Sequence, residues 1–134
     1  MSRERLPLDW DTAEKLMASA RDKSKGKPLD NNTRLYEEGY PGQEHLAHSV
    51  WRYIVRLYGY DIMYIHREYF IVMDGGTPSS TTKRRLNRFM PVGKIAQRKW
   101  VWYNEELPHE EVYNFDDVMR IDYDGYVQLY GDEV

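Results

Sequence analysis

Cysteine is absent from the 134 residues. That absence removes a disulfide scaffold, a thiolate metal site and a cysteine nucleophile together. Long hydrophobic runs are missing as well: mean hydropathy is -0.81, and no apolar stretch approaches the roughly 18 residues of a membrane span. Met1-Ser2-Arg3-Glu4-Arg5 runs into Pro7 and Asp9 without the apolar stretch of a secretory signal, so a cytoplasmic location is expected. The Walker and dinucleotide glycine fingerprints are not found, nor is a G-x-S-x-G nucleophile elbow. What is present suits one domain spanning 1–134: 41% hydrophobic and 31% charged residues permit a packed core.

The net charge of -3 conceals an asymmetry. Between Gly75 and Asn104 stand seven Lys/Arg and no acid, whereas Glu105 to Val134 carries ten acids against Arg120 alone. Local potential follows such patches and not their sum. Either the acidic end folds over the basic segment and neutralises it, or the two are separate faces with separate partners.

Periodicity divides the chain. Trp10, Ala13, Leu16, Met17 and Ala20 share one stripe, which predicts a helix over 9–22 with Asp11 and Glu14 as a capping box. Gly26 and Pro28 end it, and Asp30-Asn31-Asn32-Thr33 is turn chemistry. From Arg34 the period becomes two. Arg34–Glu38, Val50–Tyr58, Asp61–His66 and Tyr69–Met73 read as strands of an antiparallel meander. A short basic helix is expected over 82–90, capped by Ser80 or Thr81 and stopped by Pro91. Leu86, Phe89 and Met90 form its inner face, and Arg84, Arg85 and Arg88 its outer one. Residues 94–97 and 100–103 pair around Arg98-Lys99. Asp124-Gly125 predicts a type I′ hairpin between Met119–Tyr123 and Tyr126–Tyr130. The expected class is α+β: mainly antiparallel sheet with an N-terminal helix and a short basic helix, a β core over 34–104 and an acidic segment over 105–134.

Catalytic residues are scarce. His45 and His48 stand one helical turn apart but lack an evident third ligand, so no metal site and no cofactor are expected. Glu110-Glu111 and Asp116-Asp117 would place neighbouring carboxylates on opposite sides of a strand. No enzyme is expected. The basic helix carries more: Thr82, Lys83, Arg84, Arg85, Asn87 and Arg88 combine hydroxyls, amide groups and guanidinium forks suited to phosphate oxygens. Arg98 and Lys99 would extend that surface, with Trp100, Trp102 or Tyr103 as stacking platforms. The competing view makes the tryptophans core residues and the arginines a solvated face. Twelve tyrosines also suit a protein interface.

Lys27-Pro28-Leu29, Asn31-Asn32-Thr33-Arg34-Leu35, Val55-Arg56-Leu57, Gly75-Gly76, Thr81-Thr82-Lys83, Arg85, Asn87, Gln97-Arg98 and Trp102-Tyr103 resemble a family of small, functionally uncharacterised bacteriophage proteins. The resemblance covers about residues 27–103. Glu38–Val50 and the acidic end beyond Glu105 stand out as additions. The resemblance implies a viral accessory protein acting inside the infected host cell, and it assigns no ligand. Asn31, Asn32, Arg34, Thr82, Arg85 and Asn87, polar residues of those strings, could form one site. The function expected from the whole sequence is non-enzymatic binding of nucleic acid or a phosphorylated nucleotide through the basic helix and hairpin. The alternative is a protein–protein inhibitor of a host machine or defence complex, its acidic C-terminal segment imitating nucleic-acid charge.

Overall fold

The computed structural model describes residues 4–39, 51–75, 79–96, 101–104, 111–114 and 118–128. Ten strands and two helices follow in the order α1 (Trp10–Ala18), β1 (Lys27–Asp30), β2 (Thr33–Glu38), β3 (Arg52–Leu57), β4 (Tyr60–Ile65), β5 (Tyr69–Met73), α2 (Ser80–Phe89), β6 (Lys94–Ile95), β7 (Val101–Asn104), β8 (Glu111–Asn114), β9 (Val118–Asp122) and β10 (Val127–Gln128). The large sheet is β1-β2-β3-β4-β5-β9-β10 and the small one β6-β7-β8, and every ladder is antiparallel. The fold is therefore α+β, as the change of period indicates.

The meander is antiparallel because its connections are tight. Tyr58 and Gly59 take φ of 53° and 82° between the paired residues Leu57 and Tyr60. Two left-handed central residues are what a type I′ turn requires, and a tyrosine in that conformation is rare. The Asp124-Gly125 expectation is corrected. Asp124 is not left-handed; Gly125 alone is, at φ 96°. Its N–H donates to Asp122 O at 3.0 Å, and the Asp122 carboxylate accepts from Tyr126 N at 3.0 Å. Tyr123-Asp124-Gly125 is thus a three-residue loop ending on a left-handed glycine.

Both helices lie on the same side of the large sheet. Asp9 caps α1 by accepting from Thr12 N at 2.9 Å, one residue pair earlier than the Asp11–Glu14 box, and Ala18 ends it. Ser79 caps α2. Ala13, Met17, Leu86 and Phe89 meet Leu35, Val55, Met63, Phe70 and Ile121 in one core. The small sheet fits between β5 and β9 in sequence and adds Ile95 and Trp102 to that core. Two strands were not anticipated: β1, in which Pro28 is tolerated because the strand is at the sheet edge, and β8, within the acidic connection.

At Gly93 the backbone is approached as closely as at any described glycine. Its φ is 80°, and a Cβ there would overlap the indole of Trp102, which is fully buried. Gly93→Ala is expected to cost about 2 kcal/mol or more, from left-handed strain together with overpacking. Urea unfolding checks it, and an unchanged midpoint would contradict the packing described.

Candidate functional site

The basic helix does not present its arginines as a row. Asp30, at the end of β1, has a side chain 2% exposed and receives Arg88 Nη1 at 2.7 Å and Arg85 Nη1 at 3.6 Å. Arg85 also donates through Nε to Thr33 Oγ1 at 3.0 Å and through Nη2 to Asn31 O at 3.3 Å. Arg88 reaches Leu29 O at 3.3 Å and Glu4 O at 3.2 Å. Both guanidiniums thus fasten α2 to the β1–β2 turn. The expected outward face of three arginines reduces to Arg84, which is exposed and bonds Thr81 Oγ1 at 3.3 Å.

The other expected ligand residues are placed as follows. Thr82 is buried beside the capping Ser79 hydroxyl at 3.0 Å, and Lys83 is half-buried on the same turn. Asn87 binds Ile95 on both sides, donating Nδ2 to its carbonyl at 3.0 Å and accepting its N–H at 2.7 Å. Trp102 is 0% exposed, so the stacking role is corrected: its period-two position faces the core. Arg98, Lys99 and Trp100 lie outside the described residues, as do His45 and His48. Of the motif residues expected to form one site, the fold unites Asn31 with Arg85, and Asn32 accepts Tyr58 N at 2.9 Å. Arg34 and Asn87 face elsewhere.

The exposed cations concentrate at the opposite end of β1. After α1 the chain turns through a 3₁₀ segment, Lys23–Lys25, capped by Asp22. Asp22 accepts from Ser24 N at 3.0 Å, and the Ser24 hydroxyl, then its amide, hold this carboxyl below its usual range. Gly26 follows at φ 75°, pressed against the Tyr36 ring. A groove of about 330 Å³ results, lined by Arg21, Lys25, Lys27 and Arg34, with Asp22 as the one acid in its wall. Lys23 stands beside it and meets Glu37 at 3.8 Å. Arg34 donates to Lys25 O at 3.0 Å, a neutral acceptor. The alternating lysines of Lys23-Ser24-Lys25-Gly26-Lys27 were the available sequence signal; they read only as helix-terminating residues.

Two further concavities meet at Tyr60, Asp74 and Gly75: one of about 740 Å³ reaching Arg56, Asp61 and Val118, and one of about 290 Å³ reaching Tyr58, Ser79 and Thr82. Their charges are mixed. Tyr58 and Tyr60 are each 65% exposed, the most open large apolar side chains among the described residues.

A family model described as the Kyanoviridae Gp96 protein matches residues 14–127, most of the chain. The chain belongs to the Kyanoviridae Gp96 family. It is thus a phage protein. The matched span runs past the 27–103 resemblance on both sides and includes the Glu38–Val50 connection and most of the acidic end, so those segments are not outside the family's extent. No curated protein and no solved structure matches the chain. Among the described residues no helix is long and apolar enough to cross a membrane.

The ion cluster and a histidine just past the end of β4 each give a prediction. Removing the shared carboxylate leaves two half-buried guanidiniums facing each other, so Asp30→Asn should destabilise by about 3–5 kcal/mol, whereas Arg84→Ala should stay within about 0.5 kcal/mol. Urea midpoints decide; equal effects would show that Asp30 does not organise the turn. His66 is pushed down to about 4, first by burial and then by Arg52 and Arg120. Between pH 6.5 and 4 the unfolded imidazole takes up a proton that the folded one refuses, so stability falls across that window. His66→Phe should flatten this part of the curve; an unaltered slope relative to wild type would contradict the assignment.

Proposed function

We propose that this phage protein is a binding protein, not an enzyme, and that it engages the phosphates of nucleic acid through the groove at the α1–β1 edge. One observation supports this above others: Arg21, Lys25, Lys27 and Arg34 converge on one concavity whose wall contains a single acid. Such a cluster raises local anion concentration whatever the net charge, and phosphate contacts of this kind supply affinity without sequence preference. The anionic partner expected from the sequence is retained, and its site moves from α2 to the far end of β1. Arg84 and Lys83 are secondary, since their helix contributes its other arginines to Asp30.

Replacing Arg21, Lys25, Lys27 and Arg34 with Gln should abolish measurable binding at moderate salt. Each lost contact should also lower the salt slope by about 0.9 on duplex or about 0.7 on single strands. Titrations of wild type, the groove variant and Arg84→Gln against duplex, single strand and a nucleotide panel at two salt concentrations test the reading. Arg84→Gln should bind like wild type. Failure of wild type to bind any of these would overturn it.

A second reading rests on Tyr58, Tyr60 and Val118, exposed together at one end of the sheet. Amphipathic aromatics anchor protein interfaces, so a host protein is the alternative partner, captured through this end of the sheet or through the acidic segment 105–134. Capture from host lysate that survives the groove variant and fails with Tyr58→Ser/Tyr60→Ser would favour it.

A further inference from the structure

The two helices cover only one side of the large sheet. The opposite side carries the alternate residues of five adjacent strands. Its rows follow from register: Tyr36 opposite Ile54, Ile54 opposite Tyr64, Tyr64 opposite Ile71 and Ile71 opposite Arg120. Ile54 and Ile71 are 1% and 8% exposed, yet they are not members of the helix-side core.

Around these two apolar residues, cations are stacked on rings. The Arg52 guanidinium lies 3.7 Å from the Tyr64 ring centroid, Arg120 lies 3.7 Å from that of Tyr69, and Arg56 lies 4.8 Å from that of Tyr36. His66 stacks on Tyr69 at 4.5 Å. Glu38 holds Arg52 at 2.9 Å and Asp61 holds Arg56 at 2.6 Å, so carboxylates at the side fix the orientation of two of the plates. Burial first, and Arg52 and Arg120 after it, push the His66 imidazole down, and Glu38, Asp61 and Asp122 share this face with the three arginines.

This face is continuous with the basic groove. Gly26 packs on Tyr36, and Arg34 lines the groove while pairing with Arg56 across β2 and β3. Phosphate-binding cations thus lead directly onto planar groups. Bases can stack on rings and on guanidinium planes only when they are not already stacked in a duplex. We propose that the sheet face opposite the helices is a platform for single-stranded nucleic acid, its backbone held at the Arg34 edge and its bases laid over the Arg52–Tyr64 and Arg120–Tyr69 stacks. This rests on the nucleic-acid reading above and adds strand state to it.

The test separates stacking from charge. Arg→Lys keeps the cation and loses the planar fork. Full-length wild type and the Arg52→Lys/Arg120→Lys double variant are titrated with oligothymidylate, oligouridylate and a duplex of equal length. Wild type should prefer single strands. The double variant should bind them on the order of tenfold more weakly, with an unchanged salt slope and unchanged duplex binding. The two single-stranded probes distinguish DNA from RNA as the natural source. Equal affinity of wild type for duplex and single strand, or an unaffected double variant, would overturn the platform and leave the phosphate groove standing. No binding by wild type to any probe would remove the reading beneath both. If the double variant melts early, the single variants Arg52→Lys and Arg120→Lys are titrated in its place under the same criteria.

Discussion

The Asp30 carboxylate is the constraint around which the rest is arranged. It is almost wholly withdrawn from water, and a lone buried charge is not tolerated; it must be paired and hydrogen-bonded. Arg85 and Arg88 supply the charge, and the Thr33 hydroxyl and three backbone carbonyls accept from further guanidinium N–H groups. The consequence is positional. The β1–β2 turn, Glu4 and α2 are drawn to one point, and Leu86, Phe89 and Met90 are thereby seated on the sheet. The N-terminal strap completes the arrangement: Leu6 and Leu8 donate to the carbonyls of Arg88 and Phe89 at 2.8 and 2.9 Å, and these are helix-end carbonyls that would otherwise need water.

That constraint also decides which cations stay in solvent. Two of the three arginines of α2 are engaged inside the fold, so the helix is a poor phosphate surface despite its sequence. The cations of Arg21–Lys27 and Arg34 face no comparable acid. They sit on a 3₁₀ segment and an edge strand, where long side chains keep their heads in solvent. An edge strand needs protection from pairing with other chains, and lysines with a proline are a common means. In β1, Lys27 and Pro28 meet that requirement, and the same charge lines the groove.

The sheet face opposite the helices shows a related economy. Ile54 and Ile71 would be a liability in the open, but the flanking arginines and tyrosines cover them while remaining partly accessible. Stacking a guanidinium on a ring leaves its hydrogen-bonding edge available to carboxylates. Glu38 and Asp61 use that edge. Arg52 and Arg56 are thereby held in fixed orientations.

The class of the fold, the meander, the inner face of α2 and the turn at Asp30–Thr33 were all legible in the chain, because each depends on local period and local backbone preference. The phage family resemblance was legible too, in strings such as Asn31-Asn32-Thr33-Arg34-Leu35. Helix ends shifted by a few residues, since several polar residues compete for each cap. The Tyr58-Gly59 turn was hidden by a tyrosine in a conformation that its type disfavours. The fate of Arg85, Arg88 and Trp102 was decided only in three dimensions. An amphipathic pattern separates apolar from polar positions, yet it cannot tell solvent from a buried carboxylate more than fifty residues away. Nor can alternation tell which side of a strand the helices will cover. Tertiary structure made those choices, because burial and long-range charge pairing are properties of the packed chain and not of any segment within it.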